Sequence, residues 1–293
     1  MFSIGTILLP TDFSAASLAA AYDAGAIARR FHSKIIVLHA IEPVTVAFGY
    51  PTFTNAEYME DIRAAERCGA QKQIESFAGL ALHDCEVVRS LVDGDAAGAI
   101  IDCAESEDVQ LIMMPTRGCG VFRQFILGSV TAKVLHDVRR PVWTGVHVEQ
   151  MAAVAHPAAT TVLCAVDADS DYTGACRWAG KCASEFGARL VLIHAIPYLG
   201  YNLEFDRLNT EFADYLRKHA KERLALLASE CGIRSYEAEI GDGNVVDVVG
   251  MAALNHHADL LVIGRQPKPG FAGRLRTHSY ALIHESPCPV VSV

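Results

Sequence analysis

Short apolar runs alternate with longer segments of helical period along the whole chain. The first half reads as strands over 6–11, 34–41, 86–92, 110–114 and 141–147, separated by helical stretches over 14–31, 56–82, 95–106 and 128–138. Apolar runs of four to eight residues with little alternation are the mark of strands buried on both faces. Ser14 suits the N-cap of the first helix, and Arg29 and Arg30 fall in its last turn, where cations meet the helix dipole favourably. Strand and helix in strict alternation predict an α/β domain: a parallel sheet covered by helices on both faces. Five strands fit the doubly wound, flavodoxin-like order 3-2-1-4-5, whose ligand crevice opens at the carboxyl ends of strands 1 and 4.

The pattern then repeats. TILLPTDFS (6–14) returns as TVLCAVDADS (161–170), and IVLHAI (36–41) as VLIHAI (191–196). Asp12 is answered by Asp167 and His39 by His194, each 155 residues further on, with no gap between the two matches. LIMMPTRG (111–118) corresponds to LLVIGRQP (260–267), and RRPVWTGV (139–146) to SPCPVVSV (286–293). The chain is therefore expected to be a tandem repeat of two Rossmann-like domains, 1–147 and 156–293, joined by an alanine-rich linker near 151–159. The closing strands carry Val142-Trp143 and Val290-Val291, and exposed apolar edges of this kind call for a covering strand. An internal pseudo-dimer of the two repeats would supply it, and the reading leaves a further homodimer open.

Composition narrows the classes. With 51% hydrophobic and 20% charged residues in 293, both repeats have material for full cores. A formal charge of -9 and a pI near 5.7 argue against nucleic acid or an anionic membrane surface as partners. No basic leader with an apolar core opens the chain and no run is long enough to span a bilayer, so the expected location is cytoplasmic. Nine scattered cysteines without a Cys-x-x-Cys pair are no zinc or disulfide framework, although Cys119 lies in a glycine loop where a helix N-terminus lowers thiol pKa values. The histidines show no i, i+4 ligand pair, and no metal site is expected. The aromatic stretches 42–58 and 197–205 follow the second strand of each repeat, as lids, partner surfaces or aromatic residues packed on their own helix.

Candidate chemistry concentrates at 111–134, LIMMPTRGCGVFRQFILGSVTAKV. A buried strand breaks at Pro115 into a glycine-bearing loop that closes at Gly128-Ser129 before a helix. Backbone N–H groups and the positive end of a helix dipole meet there, which makes an anion cradle. Asp12, just past strand 1, would stand across the crevice from it. No Walker lysine pattern, paired acid and base, or Ser-His-Asp arrangement accompanies it, so no catalytic residue is assigned.

Aspartate after strand 1, an LHA-type strand 2, a loop closing on Gly-Ser and a Pro-Val final strand, found nearly twice over, resemble the universal stress protein family. Nucleotide-binding members carry G-x2-G-x9-G-(S/T) after strand 4. Gly118, Gly128 and Ser129 match it, while Pro115, which cannot donate an N–H, takes the first glycine position. The resemblance implies a stress-response protein that binds ATP or another adenine nucleotide, with or without magnesium, for sensing or regulation. It places Pro10, Thr11, Asp12, Ala40 and Met114 around base and ribose, Gly118, Gly128, Ser129 and Val130 around the phosphates, and Arg117 as added positive charge. In the second repeat Pro267 and Thr277-His278 stand at motif positions, leaving a basic loop with Arg265, Lys268, Arg274 and Arg276; that copy reads as a structural repeat without its ligand. The competing classes are a slow ATP-hydrolysing enzyme and a ligand-free partner-binding module.

Overall fold

The computed structural model describes residues 2–42, 56–116, 127–145, 159–167, 173–196, 206–265 and 277–293. The first repeat holds β1 (Thr6–Pro10), α1 (Ala15–Phe31), β2 (Lys34–Ile41), α2 (Ala56–Ser76), β3 (Glu86–Asp93), α3 (Ala96–Ser106), β4 (Leu111–Met114), α4 (Ser129–Asp137) and β5 (Val142–Thr144). The second holds β6 (Thr161–Ala165), α5 (Gly174–Phe186), β7 (Arg189–Ile196), α6 (Asp206–Glu230), β8 (Glu237–Asp242), α7 (Val245–Asn255), β9 (Leu260–Ile263), α8 (Thr277–Glu285) and β10 (Val290–Ser292). None of the described helices is long and apolar enough to cross a membrane.

The described residues fall into two compact units, one built from 3–140 and the other from 159–293 together with Phe2 and 141–145. In the first, four parallel strands lie in the order β3-β2-β1-β4, with Pro10 level with Leu38, and Leu8 with Ile112. In the second the order is β5-β10-β9-β6-β7-β8, parallel except for β5. The α/β class, the tandem repeat and the order of strands 1 to 4 follow the sequence expectation. β5, which belongs by sequence to the first repeat, groups with the other unit, where it lies antiparallel to β10 with Trp143 opposite Val291. It covers the apolar edge that β10 would otherwise expose.

Small residues set the layer spacing. α1 buries Ala20, Ala21, Ala24, Gly25 and Ala28, and an added Cβ at Gly25 would stand 2.2 Å from the carbonyl oxygen of Ala81. Arg29, in the last turn of α1, donates to the carbonyls of Ala81 and His83, tying the segment after α2 to α1. That segment departs from the helix expected to residue 82: α2 stops at Ser76, and Ala78 turns left-handed at φ 56°. Phe77, Ala78, Ala81 and Leu82 are nevertheless buried, so the apolar period runs on past the helix that carries it. In the second unit Cys164, Cys176 and Cys182 join Leu192, Leu224 and Val262 in the core, where thiols serve as small apolar groups.

Candidate functional site

The register of the first unit brings the carboxyl ends of β2, β1 and β4 side by side, and the segments leaving them carry most of the expected site. After β1 the chain makes a compact turn. Thr11 donates its N–H to Leu38 O (2.8 Å) and accepts the Phe13 N–H at its hydroxyl (2.9 Å). Asp12 Oδ1 accepts from Ser17 Oγ (2.6 Å) and from the Ser14 N–H (3.1 Å), while Ser14 Oγ accepts from the Ser17 N–H (3.1 Å). Ser14 is thus the N-cap, as its position suggested, and one oxygen of Asp12 is built into the same network. Phe13 is held at φ 62°, uncommon for a residue with a side chain. Its ring lies 4.3 Å from the His39 ring and 5.8 Å from that of Phe77.

His39 is a positioning residue that its sequence context did not reveal. Its Nδ1 lies 2.8 Å from Thr11 O, and since a carbonyl can only accept, Nδ1 carries the proton. His194 repeats the contact on Val166 O at 2.8 Å, so each repeat uses a histidine of its second strand to hold the turn after its first. The equal spacing of the two histidines was the available signal, and it reads at first only as a mark of duplication.

On the β4 side, Pro115 O accepts from Thr131 Oγ1 (3.0 Å) and Thr116 O accepts from the Gly128 N–H (2.9 Å). These bonds pin both ends of the intervening loop beside α4. Gly128 caps α4 without any side-chain hydrogen bond. The N–H groups of Ser129 and Val130, in the first turn, have no intrahelical acceptor. Ser129 is exposed and Gly128 and Val130 are half-buried. Lys133, one turn on, reaches Asp95, the N-cap of α3, at 2.9 Å. The hydrogen bond from Lys133, aided by the Gly98 N–H, holds the Asp95 carboxyl below the usual carboxylate range.

Of the expected site residues, Pro10, Thr11, Asp12, Ala40, Met114, Gly128, Ser129 and Val130 therefore occupy the carboxyl ends of β1, β2 and β4 or the loops leaving them. Pro10 and Met114 are buried, which leaves only their backbone to offer, and the Thr11 side chain is buried as well. Ala40 is half-buried near the end of β2. Arg117, Gly118 and Cys119 lie outside the described residues, as do Phe48, Tyr50, Phe53, Pro267, Lys268, Arg274 and Arg276. In the second repeat Arg265 is buried, at 8% exposure, and its N–H donates to Val293 O. Thr277 opens α8 and His278 is exposed. Among the described residues no group of three or more His, Cys, Asp or Glu side chains is placed to hold a metal ion.

A family model, Universal stress protein family, matches residues 3–144 and again 159–293. The chain belongs to the universal stress protein family. A universal stress protein from Thermus aquaticus is 34% identical over 137 residues, which is 47% of this chain and 95% of that relative. Another, from Mycolicibacterium smegmatis, is 30% identical over 190 residues, 64% of this chain and 63% of its own. A universal stress protein structure from Archaeoglobus fulgidus matches 99% of this chain and 96% of its own at a TM-score of 0.66, with 22% identity, a likeness of fold. Universal stress protein domains occur here twice in one chain, and the first copy keeps more of the glycine motif than the second.

Proposed function

We propose that the first repeat binds ATP or another adenine nucleotide in the crevice between the turn after β1 and the start of α4, as a sensing or regulatory event in the stress response. The observation that carries this reading is the N-terminus of α4, which is capped by glycine, presents the exposed Ser129 hydroxyl and lies at the same end of the sheet as Asp12. Phosphate oxygens would accept from the first-turn N–H groups and from Ser129, with Arg117 and Gly118 adding to the cradle. Asp12 would accept from ribose or adenine, and the backbone of Thr11, Ala40 and Met114 would border the base. Magnesium, where present, would be held by the phosphates.

The second repeat is proposed to bind little nucleotide. Arg265 is buried at the end of the sheet, and prolines replace N–H donors in the loop that follows it. The β5–β10 pairing supports reading the two repeats as an internal pseudo-dimer.

The test is calorimetric titration of the full chain with ATP. Ser129→Ala removes a hydroxyl that makes no hydrogen bond among the described residues, so its loss reports on the ligand. Losing one such contact costs about 1–3 kcal/mol, so binding weakens roughly ten- to a hundredfold. Asp12→Asn is expected to do the same, with its melting temperature measured alongside because Asp12 also orders the start of α1. Unchanged affinity in both variants would overturn the site.

A further inference from the structure

A groove of about 710 Å³ opens in the second repeat at the amino ends of β7 and β8, the opposite end of that sheet from Arg265. Small-molecule sites have volumes of this order. One bank is the last two turns of α5, which bring Lys181, Ser184 and Glu185. The other is the 231–236 connector after α6, which brings Ile233, Arg234 and Tyr236. The banks touch at Gly180 and Ile233, where a methyl group on the glycine would stand 2.6 Å from Ile233 Cγ1. Lys181 and Arg234, each the next residue along from that contact, are exposed. Phe2 also lines the groove, its ring edge-on to Trp178 at 5.5 Å.

The first repeat fills the corresponding place with one of its own side chains. Gly25 and Gly180 correspond at a spacing of 155 residues, and the same spacing sets Arg29 against Ser184. Arg29 spans from α1 to the segment after α2, donating to Ala81 O and His83 O at 3.2 Å, with Cys85 Sγ 3.8 Å away. Ser184 is too short to do this. The connector is shorter as well, six residues between α6 and β8 where nine separate α2 from β3. The second repeat has neither the plug nor the chain length to replace it.

The charges choose the occupant. Three cations and two acids line the groove, an excess of one positive charge in a chain of formal charge -9. Neither acid is free: Glu237 pairs with Arg189 at 3.6 Å, and Glu185 has a partner as well. Arg189 is further engaged with His256 O at 3.2 Å. Lys181, Arg234 and the Tyr236 hydroxyl make no hydrogen bond or ion pair among the described residues. The uncommitted groups are therefore two cations and a phenol hydroxyl, beside the apolar surfaces of Phe2 and Ile233. α5 and α6 both end here, and the negative ends of two helix dipoles disfavour a doubly charged phosphate. A single carboxylate matches the single excess charge and takes charge-assisted hydrogen bonds from both cations.

We propose that this groove is a binding site for a small amphiphilic monocarboxylate, its carboxylate held between Lys181 and Arg234 and its alkyl or aryl part on Phe2 and Ile233. A ligand with so few atoms is expected to bind at about millimolar concentration.

The test is saturation-transfer NMR on the full chain with hexanoate and phenylacetate, each followed to about 10 mM and each paired with its uncharged amide. Both carboxylates are expected to bind saturably, and the amides at least about fivefold more weakly. Lys181→Gln/Arg234→Gln should weaken the carboxylates by about the same factor and leave the amides unchanged. Ser184→Phe puts a bulky neutral side chain where the first repeat has Arg29, and should weaken acid and amide alike by at least about tenfold with unchanged circular dichroism. No saturable signal from wild type up to about 10 mM would overturn the proposal. So would amides that bind as well as the acids, which would remove the charge argument. Binding that survives Ser184→Phe, or displacement of the probe by ATP, would put it elsewhere and overturn the site. Inorganic phosphate that displaces the carboxylates at lower concentration than they bind would overturn the monocarboxylate class.

Discussion

Gly25 and Gly180 occupy the same place in the two repeats, and the structure assigns them opposite tolerance. A methyl group on Gly25 would meet the carbonyl oxygen of Ala81 at 2.2 Å and its carbon at 3.2 Å. Relief needs about 1 Å of backbone movement, and that backbone is the segment Arg29 holds through Ala81 O and His83 O, both at 3.2 Å. On Gly180 the added group meets Ile233 Cγ1 and Cδ1 at 2.6 and 2.8 Å, the far end of a side chain that can change rotamer. Glycine to alanine inside a helix gains about 1 kcal/mol of propensity in either case. Against that, overpacking at a fixed backbone costs about 1–3 kcal/mol or more, and at a mobile side chain about 1 kcal/mol. Gly25→Ala is therefore expected to destabilise the first unit by about 1–2 kcal/mol net, and Gly180→Ala to be nearly neutral. Urea unfolding of the full chain measures it. Far-UV circular dichroism follows both units, whereas Trp143 and Trp178, the two tryptophans, both lie in the second and report on it alone. A Gly25→Ala midpoint equal to wild type, or a Gly180→Ala variant that is the weaker of the two, would refute the reasoning.

Two further expectations concern titratable groups. Burial in the face of α1 pushes the Asp23 carboxyl up to about 6 from 3.8, so the native state holds a proton that the unfolded chain releases, and stability falls as pH rises from about 4 to 6. Asp23→Asn should match wild type near pH 3.5 and exceed it by up to about 3 kcal/mol above pH 7; a pH-independent difference in melting temperature would contradict this. Burial likewise raises Cys176 to about 12 and Cys164 well above the usual thiol range, whereas Cys68 is exposed. Alkylation of native protein at pH 8 followed by peptide mapping should find Cys68 modified before Cys164 and Cys176, which react only after unfolding, and early modification of either would mean that the second core opens.

What the sequence made legible was local. Ser14 as a cap, Arg29 and Arg30 in the last turn and the buried LIMM run of β4 depend on neighbours a few residues away, and each stands where the pattern put it. The end of α2 is masked in the sequence because Phe77, Ala81 and Leu82 keep a helical period, and the left-handed residue is Ala78 rather than the Gly79 that follows it. The contacts that shape the site are long-range. His39 finds Thr11 O across 28 residues, and Thr131 finds Pro115 O across a loop, and neither pairing leaves a periodic trace. Arg265 looked like a surface cation in a basic, proline-bearing loop; its burial comes from the closing strand, whose Val293 carbonyl takes its N–H. Asp12 reads in the sequence as a ligand contact, and one of its oxygens is committed to the start of α1.

The placement of β5 bears on how the protein is made. Its antiparallel partner, β10, comes near the very end of the chain. A ribosome adding roughly 5–20 residues per second delivers β10 on the order of 10–30 s after β5 has been synthesised. During that interval the Val142–Thr144 strand has no β10 to pair with, and apolar strands with an open edge are where nascent chains go astray. A chain cut at the repeat boundary would lack β10 permanently and leave the same edge of β5 unpaired.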